Sequence, residues 1–145
     1  MSESAITVAQ AFVRAINRQD ADALAELMTE DHRFTDPLAN VVEGREKMRA
    51  AWGAYFRMVP DYTIAIEETY SDGSVVVMLG VVGGTYIHPS DEDLSPGTPN
   101  YTPDGQLKPK NRWKTIAALR AAVEDGKVSE WKVYADNEPI RRLMA

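Results

Sequence analysis

The chain has no cysteine, which removes disulfides, thiolate metal sites and cysteine nucleophiles together. Histidine is almost as scarce. His32 and His88 are the two, and neither sits at ligand spacing from a partner, so no metal is expected. There is no stripe of Lys and Arg, and the net charge is −6, so no nucleic-acid partner is expected. The longest apolar run, Val75 to Val82, is far too short to span a membrane as a helix. Met1-Ser2-Glu3-Ser4 has neither the basic start nor the apolar stretch of a signal peptide, which points to a soluble cytoplasmic protein. No glycine-rich phosphate loop follows a strand: Gly80, Gly83 and Gly84 lie within strand-like sequence and read as bulges or bends. The serines lack the context of a nucleophile elbow. No cofactor is expected.

What is present fits one domain over 1–145, with 44% apolar and 26% charged residues, as in ordinary globular proteins. Ala5, Val8, Ala9, Phe12, Ala15 and Ile16 keep the 3.6-residue period of an amphipathic first helix. Asp20 reads as the N-cap of a second, with Leu24, Leu27 and Met28 as its stripe. A third runs from about Arg45 to Met58, with Met48, Trp52, Tyr55, Phe56 and Val59 on one side, and Pro60 stops it. Beyond Pro60 the period falls to 2. Tyr62, Ile64 and Ile66 alternate, Asp72-Gly73 turns the chain, and Val75 to about Ile87 forms a strand whose apolar run suggests burial on both faces. Further strands cover about Trp113 to Glu124 and Lys127 to Ala135, joined at Asp125-Gly126, and the tail from Pro139 forms a turn of helix. Helices first and strands after define an α+β fold: three helices laid against a curved, mostly antiparallel sheet, a cone with an internal pocket. The polar stretch 88–112 holds five of the eight prolines and keeps neither period, so it reads as a mobile hairpin extension, with a lid as the alternative.

Asp36 is the leading catalytic candidate. On a short strand it shares a face with Phe34, so a carboxylate follows an aromatic ring inward, where burial favours proton transfer. Equally, Asp36-Pro37 can be a turn in which the carboxylate caps local amides. His32 has the same parity and is either a proton partner or, as is commoner, a surface histidine at a helix end. Trp52, Tyr55 and Phe56 form an aromatic cup or, more often for such a stripe, part of a core; the Tyr55 hydroxyl alone could donate to an oxyanion. On the 113–124 strand the odd positions, including Trp113 and Leu119, face inward, while Lys114, Arg120 and Glu124 face outward or into a dimer. Trp131 is a further inward candidate.

Several segments together resemble the nuclear-transport-factor-2-like superfamily, in its SnoaL-like and ketosteroid-isomerase-like branch. They are Ala11 to Asn17 with Asp20 and Ala23-Leu24, Phe34-Thr35-Asp36-Pro37, Gly44-Arg45-Glu46, Pro60-Asp61-Tyr62, and Asp125-Gly126-Lys127-Val128 with Glu130 and Asp136. The resemblance covers all but 88–112 and implies a cone with an apolar pocket, a small apolar ligand, and dimerisation through the sheet. Phe12, Phe34, Trp52, Phe56, Trp113, Leu119 and Trp131 are the expected pocket lining. Asp36 matches the base of ketosteroid isomerases. The oxyanion-hole tyrosine is replaced by Phe12, and the matching aspartic acid by Ala118 or Leu119, so steroid isomerisation of the standard kind is not expected. The residues and the resemblance together lead to the expectation of a cofactor-independent isomerase, cyclase or hydratase acting on a small carbonyl compound, with Asp36 moving a proton and Tyr55 and His32, read from the residues, as its polar partners. The alternatives are a ligand-binding module and a protein-interaction domain; a pocket filled by Trp113 or Trp131 would favour the last.

Overall fold

Ser4 caps the first helix, its hydroxyl accepting from the Thr7 amide at 3.2 Å, and the 3.6-residue stripe buries Val8, Phe12, Ala15 and Ile16 along α1 (Ala5–Asn17). The computed structural model describes residues 4–87 and 111–144. Asp20 caps α2 (Ala21–Glu26) through its Oδ1 and the Ala23 amide. This helix is shorter than its stripe predicts. Leu27 is already the C-cap, and its carbonyl accepts from Val128 N at 2.7 Å, so the sheet takes the group that another helical turn would need. Met28 instead opens β1 (Met28–Thr35), which a tight turn joins to β2 (Val41–Glu43). Neither β2 nor the full length of β1 has a period-2 signal. α3 (Arg45–Met58) ends before Pro60, as predicted.

β3 (Thr63–Asp72), β4 (Val75–Thr85), β5 (Arg112–Glu124) and β6 (Lys127–Ala135) form an antiparallel meander. β6 then pairs in parallel with β1, giving the order β2-β1-β6-β5-β4-β3. The fold is α+β, with helices packed on one face of an open, mostly antiparallel sheet. On β5 the odd positions Trp113, Ala117, Leu119, Ala121 and Val123 are buried, as the alternation predicts. β4 departs from its expected burial on both faces. Val76, Met78 and Val82 are buried, but Val75, Val77, Leu79 and Val81 are only half-buried. The run is continuous because the outer face of this antiparallel sheet is apolar too, with Ile116 80% and Tyr134 51% exposed. Side chains tie the layers: Asn17 of α1 accepts from Ile64 N at 2.8 Å and donates to Ile64 O at 3.0 Å. At the far end of β4, Gly84 has no room for a Cβ beside Val59 and Asp61, and Asp61 accepts from both the amide and the hydroxyl of Thr85. After β6 the chain turns back as α4 (Glu138–Met144), burying Ile140. The expected extension at 88–112 lies almost wholly outside the described residues, as does His88; β5 is already formed at Arg112.

Candidate active site

A cavity of about 320 Å³ lies between α3, α4 and the ends of the strands, near the lower end of the roughly 300–1,000 Å³ usual for small-molecule sites. Helical spacing puts Met48, Trp52 and Tyr55 of α3 on its wall, positions i, i+4 and i+7. Strand spacing contributes Trp113 and Thr115 from β5 and Val133 and Ala135 from β6. Val82, Tyr62 and Ile140 complete the apolar wall, and Phe34, Asp36 and Pro37 come from the end of β1. Among the described residues that line it, none is Lys, Arg or His.

Asp36 stands just past β1, half-buried, at the start of the turn into β2. Its Oδ1 accepts from the Leu38 and Asn40 amides, both at 2.9 Å, and its Oδ2 from Asn40 Nδ2 at 3.1 Å. The capping and cavity-facing roles thus coexist. A carboxylate offers about four acceptor positions, so three such bonds leave one on Oδ2. The turn also needs a left-handed residue, which Ala39 supplies at φ 67°. Asp136 reaches the same cavity from just past β6 and accepts from Glu138 N at 3.0 Å.

Burial pushes the Tyr55 and Tyr62 hydroxyls above the usual tyrosine range, and the nearness of Tyr62 adds to the effect on Tyr55. Both remain protonated, as donors. Two more donors are unmatched: among the described residues, neither Trp52 Nε1 nor Trp113 Nε1 has an acceptor, although both are buried. An unmatched buried donor costs about 1–3 kcal/mol, which an acceptor on a ligand would offset.

His32 is not the surface histidine that its position suggests. It is fully buried in β1, its ring 5.9 Å from that of Phe12, which in turn lies 4.7 Å from Trp131. The cause is a break in the ladder. Met28 pairs with Val128 and Arg33 with Glu130, so β1 carries extra residues between two closely spaced partners on β6. His32 Nδ1 fills the gap, donating to Val128 O at 2.7 Å. Burial lowers its pKa below the ordinary histidine value, opposed by that hydrogen bond and by the charges of Glu130 and Asp31.

Of the expected lining residues, Phe34, Trp52 and Trp113 are on the cavity wall, as are Asp36 and Tyr55. Phe12, Phe56, Leu119 and Trp131 are not; they belong to the packed core, and so does His32. Inward direction alone does not separate the two, because core and cavity share one side of the sheet. Tyr62 was legible as the first residue of the 62-64-66 alternation. Asp136 was not, because strand parity sets it with outward-facing Lys132 and Tyr134, whereas β6 ends one residue earlier. Among the described residues, no group of three acidic or histidine side chains could hold a metal ion.

These helices on a six-stranded sheet, with a cavity at the strand ends, define an NTF2-like fold of the ketosteroid-isomerase-like kind. The chain belongs to the SnoaL-like domain family, whose model matches residues 9–131. It is similar to a protein assigned to the polyketide cyclases from Xanthomonas campestris pv. campestris, at 22% identity over 92% of this chain and 91% of that one, TM-score 0.72. A SnoaL-like protein from Shewanella denitrificans with the same assignment matches at 16% identity over 95% and 94%, TM-score 0.73. An epoxide hydrolase from M. tuberculosis matches at 15% over 95% and 86%, TM-score 0.70. At such identities the likeness is one of fold, and function has to be argued from the site. No curated protein matches.

Proposed function

We propose that the protein is a cofactor-independent enzyme of isomerase, cyclase or hydratase type, and that its cavity takes a small, mostly apolar carbonyl compound. The supporting observation is a carboxylate with one acceptor position open, on the wall of an apolar cavity that also holds a protonated phenol. Asp36 would take a proton next to the carbonyl and return it elsewhere, while the Tyr55 hydroxyl donates to the oxygen as it gains charge. The unmatched indole donors of Trp52 and Trp113 also suit a ligand with an acceptor oxygen. His32, fully buried against Phe12, has no part in this reading. Standard steroid isomerisation does not fit, since Phe12 and Leu119 are in the core and Ala118 borders the groove on the other face of the sheet. That outer face, with Ile116 and Tyr134 exposed, would pair two copies of the chain. One observation favours a non-catalytic binding module instead: the three hydrogen bonds that bind Asp36 into its turn.

A thermal-shift and turnover screen with small ketones, enones and epoxides separates these readings. Asp36→Asn retains an oxygen for the Leu38 and Asn40 amides, so the fold should persist. In an enzyme, turnover falls by about 100-fold or more while binding survives. Binding without turnover in both proteins would leave a binding module.

A further inference from the structure

We propose that the ligand carries a cationic nitrogen, an ammonium or alkylammonium group on its apolar body, held against an arc of aromatic rings. The inference rests on the cavity being the ligand site and narrows what enters it. Five rings on the cavity wall form an unbroken chain. Phe34 meets Trp52 edge-on at 6.0 Å, and Trp52 meets Tyr55 at 6.1 Å with planes at 85°. Tyr55 meets Tyr62 at 5.0 Å and 83°, and Tyr62 lies 6.2 Å from Trp113. The five rings share one cavity wall at interplanar angles from 35° to 85°, and the face of every ring carries the negative part of its quadrupole. Burial keeps both phenols neutral, so the arc holds no anion of its own to bring in a counter-cation from the protein.

The charges around the arc have one sign. Asp36 and Asp136 stand just past the ends of β1 and β6, which run parallel, so the two carboxylates come to the same end of the sheet. Among the described lining residues there is no cation to answer them. The arginines of α4 are already engaged, Arg141 at 2.8 Å and Arg142 at 3.2 Å from Glu138. Lys132 lies over the Tyr134 ring, outside the cavity. An apolar cavity lined by five aromatic rings and two carboxylates, with no cation among its described lining residues, favours a weakly hydrated cation over a neutral body of the same shape. A ligand ammonium would also offset the negative charge that forms when Asp36 removes a proton next to a carbonyl.

Phenyltrimethylammonium and tert-butylbenzene have the same shape and differ in charge, and tryptophan fluorescence or ligand-observed NMR can report their binding. The cation should bind about 10-fold tighter or more. Asp136→Asn, a change at an exposed position, should weaken the cation about 2- to 5-fold and leave the neutral compound unchanged; Trp52→Leu should narrow the cation's advantage further. Equal or tighter binding of tert-butylbenzene would overturn the inference while leaving the cavity as the ligand site. Failure of both compounds to bind would remove the cavity reading as well. Cation binding that neither substitution alters would place the charge elsewhere and likewise overturn it.

Discussion

Two groups of aromatic side chains face the same side of the sheet and have opposite fates. Phe12 lies 5.9 Å from His32 and 4.7 Å from Trp131, and all three are fully buried and off the cavity wall. Trp52, Tyr55, Tyr62 and Trp113 are in similar edge and tilted contact but line a cavity of about 320 Å³. Residue type does not separate the groups. What separates them is how they are closed: Phe12 of α1 is in direct ring contact with both His32 and Trp131, whereas Trp52 and Tyr55 of α3 share the wall of a cavity with Trp113 of β5. An aromatic ring is a packing element where its neighbours close on it and a binding surface where they leave space.

The comparison breaks first at stability. Phe12→Ala or Trp131→Ala removes a fully buried ring from a region that cannot collapse, which should cost about 3–5 kcal/mol. Trp113→Leu at the cavity wall leaves neighbours that already face open space, and should cost less, about 1–2 kcal/mol. Urea unfolding of the three variants measures the difference. Equal losses would mean that the cavity wall is as tightly packed as the core.

His32 sharpens the contrast through pH. Its pKa is lowered in the folded protein because burial disfavours the imidazolium, so between its folded value and the ordinary 6.5 the unfolded chain binds more protons than the folded one. The His32 contribution is therefore complete above about 6.5 and is lost as pH falls through that window. His32→Gln should reduce the acid-induced drop in melting temperature between pH 7 and pH 5, at some cost at pH 7 from disturbed packing. An unchanged pH slope would place the acid sensitivity in other groups.

Most of the frame was legible because it repeats. The 3.6-residue stripe of α1 and the odd-position burial of β5 each rest on several residues with one period, while the stop at Pro60 and the two Asp-Gly turns rest on local backbone chemistry. The parallel β1–β6 pairing was not legible, since it joins segments about 100 residues apart and leaves no local mark. His32 was misread for the same reason, its partner Val128 being 96 positions away. In the site, Asp36, Tyr55, Phe34, Trp52 and Trp113 could be chosen by parity and chemistry. Phe12, Phe56, Leu119 and Trp131 share those properties and differ only in what lies above them, which periodicity does not encode. Asp136 is not legible because β6 ends at Ala135, so strand parity no longer sets the direction of its side chain.

The smallest expected effect is the most specific. Tyr55→Phe keeps the ring, with its edge contacts to Trp52 and Tyr62, and deletes only the hydroxyl. In a packed core the loss of a buried, hydrogen-bonded hydroxyl costs about 1 kcal/mol or more. At a cavity wall the hydroxyl faces space rather than a protein acceptor, so the melting temperature should move by no more than a degree or two. If Tyr55 donates to a carbonyl oxygen as it gains charge, kcat should fall by about 10-fold or more with little change in KM, because the bond strengthens only in the transition state. A loss of stability with turnover intact would return Tyr55 to the packing group, and the boundary between the two aromatic clusters would then run between Tyr55 and Trp52.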